Sequence, residues 1–250
     1  EENPVTIHLK NGSYSPESGE VFPIIMMDYV NLIGEDESAT ILNPDFTDGG
    51  IRLYSCDNTM ISNITITNGF SDGNGGGMYI SSSSPILDHI TISGNTSANY
   101  GGGMYLIDSS PIMEHMTISQ NVCSYNGGGI YIENPAFLSH PIIKHTTISQ
   151  NSTDAAGGGG GGGMYIFDHA LVELIDVVID NNTITSNTGH GGGIHIRHAG
   201  LILRDVTISG NSAGSIGYGG GVYITDTMNC CPFFIEMNNV KIDANEAFKG

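Results

Sequence analysis

Positive charge is scarce in this chain: 250 residues hold 7 Lys+Arg against 26 Asp+Glu, a formal charge of −19. Phosphate recognition needs clustered cations, so nucleic acid is excluded as a partner, and an anionic membrane surface is disfavoured on the same ground. Charged residues of either sign make up only 13%, about half the usual share. No apolar run approaches the roughly 18 residues that a membrane-spanning helix requires, so no transmembrane segment is predicted. Trp is absent and Cys numbers 4: Cys56, Cys123 and the adjacent Cys230 and Cys231 fit no zinc spacing and leave disulfide connectivity open. Helical periodicity with caps is missing throughout. What is abundant is Gly, 36 residues, and that directs attention to internal repeats.

Gly-Gly-Gly-Met-Tyr-Ile at 75–80 returns with small changes at 101–106, 127–132, 161–166, 191–196 (His195 in the Tyr place) and 219–224. A second string, Ile90 to Asn95, returns as Met116 to Asn121, Thr146 to Asn151, Val177 to Asn182, Val206 to Asn211 and Val240 to Asn245. Both strings alternate apolar and polar residues, the signature of half-buried strands. Met78 and Ile80 are predicted inward with Tyr79 outward. A second strand puts Leu87, Met113, Ile143, Leu174, Leu203 and Met237 inside. A third puts Ile92, Ile118, Ile148, Ile179, Ile208 and Ile242 inside, with Thr146 an exception beside Ile148. Inward parity changes across one residue between the second and third strands, which demands a corner. Three strands per repeat with corners between them make one turn of a parallel β-helix. Roughly nine coils at about 4.8 Å each give a rod on the order of 40 Å long. The whole of 1–250 reads as a single β-helix domain, with 1–60 as irregular opening coils (strands at 5–9, 24–33, 39–42 and 51–54) and 61–250 as regular repeats.

Polar residues repeat at the corners. Asn63, His89, His115, His145, Asp176, Asp205 and Asn239 stand before the third strand. Asn95, Asn121, Asn151, Asn182, Asn211 and Asn245 stand after it. Both columns are expected to be structural ladders that satisfy backbone groups left unpaired at a bend.

The paired Gly-Gly-Gly-Met/Ile and Ile-x-x-Asn strings over 60–250 resemble the repeats of the polymorphic outer-membrane protein family. The opening Ile7-His8-Leu9-Lys10-Asn11-Gly12-Ser13-Tyr14, followed by Val30-Asn31-Leu32-Ile33-Gly34, is similar to the start of pectin-lyase-like domains. The resemblance implies a right-handed β-helix, secretion to an extracellular or cell-surface location, and a structural or adhesive role. The fold also hosts polysaccharide lyases and hydrolases, which stand as the alternative.

Neither enzyme class finds its parts. A lyase needs a base and cations at the uronate, and Arg197 and Arg204, the best basic cluster, flank His195 and His198 on different strands. A hydrolase needs paired carboxylates, and Gly189-His190-Gly191 has no such pair beside it. No catalytic residue is therefore assigned. The outward Tyr79, Tyr105, Tyr131, Tyr165, His195 and Tyr223 form an aromatic stripe that can stack on a glycan, meet a surface protein or brace neighbouring strands. Thr65, Thr91, Thr117, Thr147 and Thr207 form a flat array broken by Val178 and Lys241. His89, His115 and His145 can bind a metal in principle, but their equivalents in other coils share only hydrogen bonding. Calcium suits the acid surplus better than zinc, and no metal position is assigned. The start at Glu1-Glu2 without Met suggests a processed or trimmed chain. The rod is expected to end mid-repeat, with a longer chain or head-to-tail self-association covering the open end.

Overall fold

The computed structural model describes residues 4–136, 139–155, 158–225 and 234–247. Every strand pairing in it is parallel, and each coil stacks on the one before to form a parallel β-helix. One sheet holds fourteen strands, nine of which stack in one path from Val5–Leu9 to Ile235–Asn238, and a second stacks eight from Ile24–Ile25 to Val222–Thr225. The Gly-Gly-Gly-Met-Tyr strings supply the eight-stranded sheet. The predicted second and third strands both lie in the fourteen-stranded one, joined in several coils into one bent strand such as Ile86–Ser93.

The bend is one residue wide. Asn63, His89, His115, His145, Asp176, Asp205 and Asn239 all have φ between 48° and 56°, the left-handed region in which Asn, Asp and His are enriched among non-glycine residues. A single left-handed residue turns the chain and resets which side chains face inward. Leu87 and Ile90 are therefore both buried around the exposed His89. Sequence reading did not place a further sheet of two-residue strands, such as Thr96–Ser97 and Val122–Cys123, which follows the Asn column. The opening segment 24–33 is also two strands, Ile24–Ile25 and Val30–Gly34, separated by the left-handed Tyr29.

Stacking aligns like with like. Ile66, Ile92, Ile118, Ile148, Ile179 and Ile208 are register partners in succession and fully buried, in one apolar column that runs from Phe22 to Ile208. Thr146 sits in that interior with its hydroxyl donating to the Lys144 carbonyl at 2.7 Å. The inward positions of the last described coil differ from expectation: Ile224, Met237 and Ile242 are exposed, because no further described coil covers them. The Gly triplets are packed against the next corner. A Cβ on Gly102 would lie 2.5 Å from the carbonyl oxygens of Gly128 and Val122, and Gly101 has φ +63°, so neither place accepts a side chain.

Candidate functional site

The two corner columns occupy different environments. Asn95, Asn121, Asn151, Asn182 and Asn211 are fully buried. The Oδ1 of Asn121 accepts from the backbone N–H and the Nδ2 of Asn95, both at 3.0 Å, while its own Nδ2 donates to the Ile92 carbonyl and to Asn151 Oδ1. The same pattern repeats up to Asn245. The column containing His89, His115, His145, Asp176 and Asp205 instead exposes its side chains, which pair with neighbouring side chains, Asp88 for the first two, rather than with backbone. The residue type there answers to the left-handed backbone and not, as expected, to an unpaired group at the bend.

The aromatic stripe is stacked in register, with ring centroids 5.2–5.3 Å apart from Tyr79 through Tyr105 and Tyr131 to Tyr165, then edge-on to His195 and Tyr223. It is not an open platform. Tyr105, Tyr131, Tyr165 and His195 are buried, because Tyr100 packs on Tyr131 at 4.8 Å and Glu133 accepts hydrogen bonds from the Tyr105 and Tyr131 hydroxyls. Burial, followed by the Glu133 carboxylate, pushes both hydroxyls far above the ordinary tyrosine range. Only Tyr79 and Tyr223, near its ends, are half-buried.

Where that stripe meets the loops before the Gly triplets, a groove of about 420 Å³ opens, lined by Tyr100, Tyr125, Tyr165 and Tyr223 together with His190, His195 and Arg197. Burial, reinforced by His190 and Arg197, pushes the His195 imidazole down to about 3, so the ring is neutral. Its Nε2 faces Thr225 Oγ1 at 3.3 Å, and that hydroxyl donates to the Ile196 carbonyl. The Thr225 oxygen therefore accepts from Nε2–H. His195 Nδ1 is left with a bare lone pair and no partner among the described residues. His190 is also held neutral by burial, and its Nδ1 accepts the Tyr218 N–H at 3.0 Å, which leaves Nε2–H as a donor. Arg197 is exposed and lies over the Phe167 ring at 5.5 Å. Among the described residues, the groove is lined by neither Asp nor Glu.

Other candidates separate in space or chemistry. Arg204 is committed to Glu173 and Glu236 at 3.1 and 2.7 Å, so it forms no cluster with Arg197. The Thr array is half-buried, and Thr65 and Thr91 are both tied to Glu37. A larger trough of about 740 Å³ beside the last described coil is lined by turn residues with Glu246 as its ionisable group. Cys56 and Cys123 are buried and free, with burial raising both thiols, Cys123 to about 11; Cys230 and Cys231 lie outside the described residues. Sequence reading assigns His190 no role and does not place the loop tyrosines. The available signal was an aromatic or His placed directly before the left-handed Gly, as in Tyr100-Gly101, His190-Gly191 and Tyr218-Gly219.

No curated protein matches the chain in sequence. Among solved structures it is similar to a pectin methylesterase from Yersinia enterocolitica, with TM-score 0.59 and 13% identity over 99% of this chain and 88% of that one. It is also similar to the A-module of the mannuronan C-5 epimerase AlgE4 from Azotobacter vinelandii, with TM-score 0.33 and 12% identity over 99% and 91%. These likenesses concern the fold alone. Residues 1–41 match a family model described as a protein of unknown function (DUF1565). Residues 30–213 match the model described as right handed beta helix region; the coils are thus right-handed, as the opening motifs imply, and the chain belongs to that family.

Proposed function

We propose that this β-helix is an extracellular or cell-surface glycan-contacting module that holds a short stretch of carbohydrate in the groove over His190 and His195. The observation that carries the reading is the pair of neutral imidazoles among tyrosines, one with an unmatched acceptor and one with a donor. Sugars present alternating hydroxyls and apolar ring faces, and aromatic walls with a few fixed polar groups suit them. His195 Nδ1 is sealed from solvent, so a sugar hydroxyl reaches it only with displacement of the rings above. No helix among the described residues is long and apolar enough to cross a membrane. The resemblance of the repeats to polymorphic outer-membrane proteins supports a structural or adhesive surface role, and the likeness to a protein named for pectin makes pectin the first glycan to try. Without a carboxylate in the lining, acid–base hydrolysis has no pair to work with there.

A binding panel of acidic and neutral oligosaccharides, scored also for unsaturated products and new reducing ends, tests this. Wild type is expected to bind a member of the panel without converting it. Tyr125→Ala with Arg197→Ala is expected to abolish that binding while leaving the melting temperature within about 2 °C. Binding that survives the double variant, or no binding across the panel, refutes the proposal, and product formation transfers it to the lyase or hydrolase reading.

A further inference from the structure

In the exposed corner column the pairing is one-to-one in the later coils: His145 Nδ1 meets Asp176 Oδ2 at 2.9 Å, and Asn239 Nδ2 donates to Asp205 Oδ1 at 2.5 Å. Asp88 breaks the pattern. Its Oδ1 meets His89 Nδ1 at 2.8 Å and, from the adjacent coil, His115 Nδ1 at 2.9 Å, with the two rings stacked 4.5 Å apart. Three donor atoms from two successive coils thus lie within 4.8 Å of one another on an exposed edge. The edge adjoins a hollow of about 560 Å³ lined by His89 together with Glu35, Asp36 and Glu37, which draws cations toward it.

We propose that Asp88, His89 and His115 form a binding site for a divalent transition ion that clamps two adjacent coils. Two imidazoles and a carboxylate are the donor set preferred by zinc, copper, nickel or cobalt, whereas calcium and magnesium take oxygen shells. Nδ1 ligation requires each ring to carry its proton on Nε2, so the Nδ1–H that each ring gives Asp88 is replaced by the ion. The donors separate from hydrogen-bond to ligand–ligand spacing by a few tenths of an ångström, and solvent completes the shell on the open side.

The fold supplies its own conservative variants. Asn63 and Asn239 occupy the same left-handed corner in other coils, so His89→Asn and His115→Asn keep the backbone. Calorimetric titration of a tag-free chain with ZnCl2, with cobalt absorption as a second readout, is expected to give one ion per chain. Each Asn variant is expected to weaken binding about tenfold or more, since loss of outer-shell partners alone costs that much. His145→Asn should leave the affinity unchanged, and CaCl2 should give no comparable heat. Absence of zinc binding by wild type, or equal affinity in the His89→Asn/His115→Asn double variant, overturns the proposal. The test is independent of the glycan groove.

Discussion

Asn121 and His115 stand six residues apart in one coil, each repeated in register above and below. In sequence both are polar residues recurring at a corner. In the structure Asn121 is fully buried and makes four hydrogen bonds through its side chain, whereas His115 is exposed and sits at φ 52°. Repetition preserves the side chain's bonding in one column and the backbone's handedness in the other. A polar ladder therefore does not by itself say what it is for. The column whose chemistry is spare, because only its backbone is constrained, is the one free to acquire a ligand.

Substitutions separate the two columns by size of effect. Asn121→Ala strands the Asn95 N–H, the Ile92 carbonyl and one bond of the Asn95 amide. At about 1–3 kcal/mol for each buried unsatisfied group, the expected loss is about 3–6 kcal/mol, measurable by urea unfolding. Tyr131→Ala removes a ring stacked on both sides and buried beneath Tyr100, and about 3–5 kcal/mol should be lost. An open contact platform would have lost binding with little change in stability, so this variant tells the two descriptions of the stripe apart.

A smaller effect comes from pH. His195 is held near 3 when folded against about 6.5 in an unfolded chain. The unfolded state therefore takes up a proton that the folded state refuses. The stabilisation is whole above about 6.5 and falls as pH drops toward 3, with about 1–2 kcal/mol lost between pH 7 and 5. His195→Tyr, the residue found at the equivalent place in the other coils that carry a Gly triplet, should flatten that slope. Smallest of all, His145→Asn should change stability by no more than about 0.5 kcal/mol, while His145→Val should cost about 1–2 kcal/mol through the left-handed backbone alone.

The architecture was legible because stacking demands that chemistry repeat. The Ile92 column, the alternation around Met78 and the parity change at His89 all followed from period and spacing. The short sheet after Asn95 was not legible, since two residues such as Thr96-Ser97 carry no period. The burial of the stripe was missed for a related reason. Tyr100, Tyr125 and Tyr218 come from loops of unequal length, so they fall outside the aligned repeat although they sit above it in space. His190 and His195 are brought together from a loop and a strand, and sequence showed the second only as a break in the Tyr column. The left-handed corner was written in Asn, Asp and His, whose shared property is tolerance of positive φ, and hydrogen bonding was the wrong common factor to extract.

The most direct test follows the imidazole nitrogens by long-range proton–nitrogen NMR while the chain is titrated with pectin-derived and neutral oligosaccharides. The account predicts that one of these glycans shifts the signals of His190 and His195 together and saturably, as Nε2–H of the first and Nδ1 of the second find hydroxyl partners, while His89, His115 and His145 stay fixed. Glycan binding that leaves His190 and His195 unmoved, or no response to any glycan, would contradict it.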